Sequence, residues 1–303
     1  MTFCAECKQD IIENYRFEDC CNTSHLYGIL AFCKTFSKEK ICIASEYEFV
    51  IEHVIAVLSE FGIPKDKLTI KKSKRDTQII ITDIYAIERL LVDFGYSGDE
   101  WSFRINHDNF ICENCTAAFI AGCFLACGTV IDPELSYHLE FTTHKKNLFH
   151  DFLGIIEGAG FLPKTAVRSS SYVLYFKNSS QIEDVLTFLG AVDSSLKLMD
   201  TKIYKDVKNK VNRRMNCDNA NMDKAIVAAE ADRLIIKEII KLKGENFLND
   251  ELKEVAMLRI NNPELSLAEL GQLLSDKLTK SGVSHRLRKI RTILSSIKEQ
   301  KND

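Results

Sequence analysis

The first part of the chain, up to about residue 195, alternates between helical and strand-like hydrophobic patterns. Apolar residues recur at helical spacing, and short runs rich in β-branched residues separate them. The pattern predicts a unit with the order α-β-β-α-β-β-α. Its predicted helices cover about 23–34, 48–61 and 84–93, and its predicted strands lie in a hairpin that returns along 41–45 and at about 68–72 and 78–82.

The same unit occurs twice, with a constant offset of 94 residues at its start. The matching residues are Cys21, Gly28, Cys33 and Thr35 in the first copy and Cys115, Gly122, Cys127 and Thr129 in the second. Further patches match in the same order later in each copy. The sequence therefore predicts a duplicated domain over 1–197, with repeats at about 20–95 and 114–190.

The last part of the chain has a purely helical pattern. A helix over 249–262 is stopped by Pro263, and Ser266 with Glu269 forms a capping box that opens a short helix over 266–274. A helix over 281–297 follows, with an apolar stripe at Val283, Leu287, Ile290, Leu294 and Ile297. The pattern predicts a basic linker over 198–221, partly helical, and a helical domain over 222–303 whose helix from Met222 ends at Gly244.

Composition excludes several classes of protein. The chain has 303 residues and a net charge of −3, and it lacks both a signal-peptide pattern and an apolar run long enough for a membrane span. We therefore expect a cytoplasmic protein with no membrane partner, whose 11 cysteines are reduced thiols. Basic residues are concentrated in the last third, with eight Lys or Arg against three acidic residues over 275–303.

A short capped helix, a tight turn and a basic amphipathic helix, at about 266–298, form a helix-turn-helix. The second helix fits the major groove of DNA, where Arg can pair with guanine through two hydrogen bonds. The sequence predicts base contacts from His285, Arg288 and Lys289 and phosphate contacts from Ser284, Arg286 and Arg291; Ser281 completes the predicted DNA-binding set. The alternative is a solvated polar face on a helical bundle. The basic segment 202–214 is either a plain linker or a further contact with the DNA backbone.

The helix sequence IAGCFLACG, residues 120–128, resembles in spacing the LAGLIDADG motif of homing endonucleases. The resemblance implies two α-β-β-α-β-β-α repeats whose motif helices pack face to face about a pseudo-twofold axis. It also implies that the eighth motif position carries an acidic residue that holds a divalent metal ion. Cys127 stands there in the second copy and Cys33 in the first, and a neutral thiol does not replace a carboxylate for Mg²⁺. We therefore expect the scaffold without the nuclease chemistry.

Three longer stretches resemble the WhiA family of bacterial regulators: residues 118–141, 212–226 and 265–290. The resemblance implies an α+β fold in which a degenerate LAGLIDADG-like domain precedes a helix-turn-helix domain similar to region 4 of sigma factors. It implies a nucleoid-associated, sequence-specific transcriptional regulator of cell division, chromosome segregation or sporulation. The implied partners are promoter DNA and other transcription or division factors. Two alternatives remain, an active or residual endonuclease and a protein-interaction module without affinity for duplex DNA.

Two C-x-x-C motifs raise the possibility of zinc. Cys4 and Cys7 could join Cys112 and Cys115, or could join Cys20 and Cys21. Neither set has the short regular spacing of a zinc ribbon, and the repeat already accounts for Cys115 as the equivalent of Cys21. The histidines form no metal-binding pattern and no nucleotide-binding loop occurs. The sequence predicts no metal, no cofactor and no catalytic residues.

Overall fold

The computed structural model describes residues 1–14, 19–98, 100 and 102–299. The chain divides into two compact units, one covering residues 1–206 and the other beginning at residue 207. In the part of the chain that is described, no helix has both the length and the apolar character needed to cross a bilayer.

The first unit contains an N-terminal helix and two copies of one fold. The first copy comprises α2 (Asp19–Ala31), β1 (Thr35–Phe36), β2 (Ile41–Ser45), α3 (Glu48–Glu60), β3 (Thr69–Lys72), β4 (Thr77–Ile81) and α4 (Ile84–Asp93), after α1 (Phe3–Glu13). The second comprises α5 (Cys115–Cys127), β5 (Gly128–Val130), β6 (Leu139–Thr143), α6 (Lys146–Gly158), β7 (Lys164–Arg168), β8 (Ser171–Phe176) and α7 (Ser179–Phe188). The two antiparallel sheets have equivalent strand orders, β1-β2-β4-β3 and β5-β6-β8-β7. The predicted α+β duplication is confirmed.

The two sheets owe their form to the hydrophobic pattern of the central strands. In the first sheet Ile43 pairs with Ile79, and both side chains are buried, because α3 packs on β2 and β4. In the second sheet Phe141 pairs with Leu174 under α6. One face of each sheet thus belongs to the core that α2 and α5 share.

Helices α2 and α5 approach each other at two glycines. A Cβ atom on Gly28 would lie 2.1 Å from the carbonyl oxygen of Phe119, and a Cβ atom on Gly122 would lie 2.1 Å from that of His25. Both the glycines and their partners are separated by the repeat offset of 94 residues. The close approach is therefore reciprocal, as a pseudo-twofold axis between the helices requires.

Helix α1 was not predicted from the sequence. The side chain of Thr2 caps it by accepting a hydrogen bond from the backbone N–H of Ala5, and Cys4 and Cys7 lie on its buried face. These two cysteines are therefore core residues, in the role of small hydrophobic side chains.

The second unit is entirely helical where it is described. A single helix, α8 (Val192–Lys243), runs through the predicted linker, so the predicted helix start after Asn221 is wrong. This unit continues with α9 (Asp250–Asn261), α10 (Leu267–Leu273) and α11 (Lys280–Glu299). All five residues of the predicted apolar stripe on α11 are buried, which confirms its orientation.

Candidate nucleic-acid interface

The start of α10 is fixed by the predicted capping box. The hydroxyl of Ser266 accepts a hydrogen bond from the backbone N–H of Glu269, and the Glu269 carboxylate accepts one from the backbone N–H of Ser266 at 2.8 Å. Two N–H groups that have no partner within the helix are satisfied in this way. The capping box is confirmed, and with it the place where the helix pair begins.

The turn between α10 and α11 depends on a glycine that sequence reasoning did not single out. The backbone N–H of Leu278 donates to the carbonyl oxygen of Gly271 at 3.0 Å, and a Cβ atom on Gly271 would lie 2.1 Å from the carbonyl oxygen of Leu278. Only glycine allows this contact. A glycine inside an amphipathic helix was the available signal in the sequence.

Four predicted DNA-binding residues share the exposed side of α11. We call them the α11 basic face, and they are Ser281, His285, Arg288 and Lys289. Within the described residues, neither Arg288 nor Lys289 forms an ion pair. Two cationic groups with no carboxylate partner in that part of the chain are available to an external anion, and their place on the second helix of the pair suits the major groove.

The three remaining predicted residues are partly engaged within the unit. Arg286 has a side chain only 13% exposed and lies 3.5 Å from a carboxylate oxygen of Glu251. Arg291 pairs with the carboxylate of Asp232 at 2.6 and 2.7 Å. Ser284 is half-buried. Arg286 and Ser284 thus differ from the α11 basic face in their burial, whereas Arg291 is exposed and differs in its ion pair. Both arginines contribute to holding α11 against the rest of the unit.

A groove of about 610 Å³ runs along the α11 basic face. His285, Arg288 and Lys289 line it on one side, and its apolar lining includes Phe247 and Leu252. The groove combines basic groups with an apolar wall. Such a surface can take an anionic backbone and an apolar group, such as a thymine methyl, at the same time.

The two degenerate metal positions lie just past α2 and at the end of α5. Burial raises the pKa of both Cys33 and Cys127 to about 12, against the opposing effect of Lys145 and Lys8 respectively. The thiols are therefore neutral at physiological pH. A neutral thiol offers Mg²⁺ no oxygen ligand and no charge.

Lysine side chains occupy this end of both helices. Lys145 donates to the carbonyl oxygen of Ala31 at 3.2 Å, and Lys8 donates to that of Leu125 at 3.1 Å. These two carbonyls are equivalent in the repeat, although the two lysines are not. Burial lowers the pKa of both lysines, and their side chains fill this end of the two helices beside the thiols.

The structure assembles neither of the two zinc sets considered from the sequence. Cys4 and Cys7 lie in α1, whereas four other cysteines, which we call the cysteine cluster, have sulfur atoms within 4.8 Å of one another: Cys20, Cys21, Cys112 and Cys115. Four thiols of metal-ligand type thus meet in a set that neither alternative contained, and the prediction of no bound metal stays a prediction. They were missed because Cys20 and Cys21 come from the first copy of the repeat, whereas Cys115 comes from the second copy and Cys112 from the segment just before it.

Comparison with known proteins gives matches over both units. Residues 116–208 match the family described as the WhiA LAGLIDADG-like domain, and residues 211–294 match the family described as the WhiA C-terminal HTH domain. A probable cell division protein WhiA from Clostridium botulinum (strain Eklund 17B / Type B) is 34% identical over 98% of this chain and 99% of its own length. Another of that name, from Thermoanaerobacter sp. (strain X514), is 34% identical over 91% of this chain and 88% of its own length.

A solved structure has the same fold. The crystal structure of full-length WhiA from Thermatoga maritima superimposes with a TM-score of 0.59 at 21% identity, over 98% of this chain and 99% of that chain. At this identity the similarity establishes the shared fold.

Proposed function

This chain belongs to the WhiA family, and on that premise we propose that it is a sequence-specific DNA-binding regulator that binds promoter DNA through α11 without cleaving it. The observation that carries the proposal is the α11 basic face, where Arg288 and Lys289 are exposed and form no ion pair with any residue that the structure describes. Arg288 would read guanine through two hydrogen bonds, and His285 and Lys289 would contact neighbouring bases or phosphates.

The engaged residues have a different part in this proposal. Arg286 and Arg291 would approach phosphates from the edge of the interface while keeping their carboxylate partners. Ser281 and Ser284, near the start of α11, would donate hydroxyl hydrogen bonds to the DNA backbone.

We propose a second contact with DNA on the first unit. Edge strands β3 and β7 are largely exposed and carry basic residues without acidic ones. Lys71 on β3 and Lys164 on β7 form no ion pair with a described residue, whereas Lys72 and Arg168 pair with Glu48 and Glu140. We propose that these strands contact the phosphate backbone. Within the basic segment 202–214, Lys202 pairs with Glu183 and Lys205 donates to the carbonyl oxygen of Pro133. These two contacts favour a structural role for the start of that segment.

The process regulated is proposed from the relatives' names. Both curated relatives are named probable cell division proteins, so we propose cell division as the regulated process, with chromosome segregation and sporulation as further processes that the family implies. A role at promoters places the protein on the nucleoid, and other transcription or division factors would bind it there.

Binding to a labelled duplex over a range of salt concentrations tests the proposal. Wild-type protein should bind with an affinity that falls as salt rises. The double variant Arg288→Ala with Lys289→Ala should lose at least about tenfold in affinity. Lys237→Ala with Lys241→Ala removes the same charge from exposed positions on α8 and should lose less. Equal losses in the two double variants would refute α11 as the binding helix.

The two alternative functions give different results in the same preparation. An endonuclease would nick supercoiled plasmid with Mg²⁺ or Mn²⁺, and we expect no nicking because Cys33 and Cys127 are neutral thiols. A protein-interaction module would show no duplex affinity even at low salt.

A further inference from the structure

The cysteine cluster lies where the N-terminal ends of α2 and α5 meet. Cys20 and Cys21 belong to the first turn of α2, Cys115 is the first residue of α5, and Cys112 lies three residues before it. Each helix has 13 residues. The cluster is therefore about 20 Å from the degenerate metal positions at the other helix ends, at about 1.5 Å per residue. It is a separate feature of the molecule.

The sulfur–sulfur distances match the requirements of one tetrahedral ion. A zinc ion with four Zn–S bonds of about 2.3 Å holds its sulfur atoms about 3.8 Å apart. The sulfur atom of Cys21 lies 3.3 Å from that of Cys112 and 4.0 Å from that of Cys115. The sulfur atoms of Cys112 and Cys115 are 3.5 Å apart. With all four sulfur atoms within 4.8 Å of one another, small side-chain adjustments complete a tetrahedron.

The surroundings suit thiolates bound to a cation. The backbone N–H of Cys112 points at the sulfur of Cys115 at 3.4 Å, and such N–H groups stabilise the negative charge of a ligand sulfur. The positive ends of two helix dipoles converge on the cluster. Ala118 and Phe110 pack around it, so apolar side chains line the inner side of the site. Cys20 and Cys112 are only half-buried and leave a path for an ion from solvent.

The donor set selects the kind of ion. Four thiolates are soft ligands, which favour zinc and disfavour Mg²⁺ or Ca²⁺. A multi-iron cluster must fit several iron and sulfide atoms between its ligands, so it holds them further apart than these sulfur atoms are. A site with four protein thiolates leaves no open position for substrate, which is typical of a structural rather than a catalytic zinc ion.

We propose that the cysteine cluster binds one structural zinc ion that fastens the N-terminal ends of α2 and α5. The first copy of the repeat contributes Cys20 and Cys21, and the second contributes Cys115 together with Cys112 from the segment that leads into it, so the ion links the copies across the pseudo-twofold axis. The glycines Gly28 and Gly122 bring the helices together at mid-length, and the zinc ion holds their ends at that spacing.

Metal analysis of the full-length protein tests the proposal. Protein purified under reducing conditions without chelator, supplied with zinc and then desalted, should retain one zinc ion per chain by mass spectrometry of the metal. Cys20→Ser together with Cys112→Ser should lose that zinc. Cys217→Ser changes an exposed cysteine on α8 and should retain it. Wild-type protein without stoichiometric zinc, or a double variant that keeps it, would overturn the proposal.

A second measurement does not depend on the folding of a variant. Apo wild-type protein titrated with Co²⁺ should develop the thiolate charge-transfer and visible bands of tetrahedral cobalt, and zinc should abolish them. Absence of those bands would overturn the proposal. A Cys21–Cys112 disulfide in the native protein, detected by peptide mapping, would also overturn it, because those sulfur atoms would then be unavailable to an ion.

Discussion

Replacing Gly122 by alanine perturbs the closest contact in the first unit. The added Cβ would lie 2.1 Å from the carbonyl oxygen of His25 and 3.0 Å from the backbone nitrogen of Ile29. Because both atoms belong to the backbone of α2, no side-chain rotation relieves the overlap. To reach ordinary contact distance, α2 and α5 must move apart by about 1 Å or more.

The expected cost follows from two opposing effects. Overpacking of a dense core costs about 1–3 kcal/mol, and a backbone obstacle places this site at the upper end of that range. Alanine recovers about 1 kcal/mol relative to glycine within a helix. We expect a net loss of about 2 kcal/mol in the free energy of unfolding. Adding Gly28→Ala to Gly122→Ala should lower the free energy of unfolding by less than a further ~2 kcal/mol, because one separation of the helices accommodates both methyl groups.

Urea unfolding of the full chain, followed by circular dichroism, measures this loss. Gly154→Ala is the matched control, since Gly154 lies inside α6 and, among the described residues beyond its own helix, no atom lies within 4 Å of where the alanine methyl group would stand. The control should gain about 0.5–1 kcal/mol from helix propensity alone. If Gly122→Ala is as stable as Gly154→Ala, the two central helices do not approach as closely as the structure indicates.

Three further predictions concern buried polar groups and a helix cap. Burial lowers the pKa of His25 to about 3 and of His53 to about 4. An unfolded histidine has a pKa of about 6.5. The free energy of unfolding should therefore be highest above that pH and should decrease towards pH 4, by about 3 kcal/mol from His53 alone. His53→Gln should show a shallower pH dependence of urea unfolding, and an unchanged slope would contradict the assignment. Ser266→Ala should cost about 1 kcal/mol by removing the cap of α10, whereas no loss in thermal unfolding would show that the cap is dispensable. Asp232→Asn should lower the free energy of unfolding by about 1–3 kcal/mol, because it weakens the ion pair with Arg291. Adding Arg291→Ala to Asp232→Asn should lower it little further.

Local sequence patterns predicted much of this fold. The capping box at Ser266 and the apolar stripe from Val283 to Ile297 are confirmed because each depends on residues a few positions apart. The β-branched runs around Ile43 and Ile79 correctly predicted the two central strands of the first sheet. These two strands pair with each other, and α3 packs on both of them. Periodicities of 3.6 and 2 are visible in sequence whenever one face is buried.

The start of α8 was predicted incorrectly although the sequence held a signal for it. Residues 206 to 228 of α8 are exposed, and polar and basic residues dominate them, which led to the prediction of a linker. Within that stretch Val207, Val211 and Met215 recur every four residues, the spacing of a helix. Helix α1 was not predicted because Cys4 and Cys7 were interpreted as possible metal ligands, whereas they are part of the apolar face of that helix.

Contacts between the two copies were the least predictable. Lys8 and Lys145 cap equivalent carbonyls from positions that do not correspond in the repeat, so no sequence comparison shows their relation. The cysteine cluster did leave a signal. Cys21 and Cys115 are equivalent residues, and equivalent residues at a pseudo-twofold helix interface lie close together across the axis.

The central claim, that α11 reads DNA sequence, is tested most directly by genome-wide crosslinking of the wild-type protein and of the Arg288→Lys variant. Lysine keeps the positive charge but lacks the planar fork that pairs with guanine. We predict discrete sites near promoters that share a sequence motif for the wild type, and loss of those sites in the variant despite retained salt-dependent affinity for duplex DNA. The same sites at the same occupancy in both proteins would contradict the account.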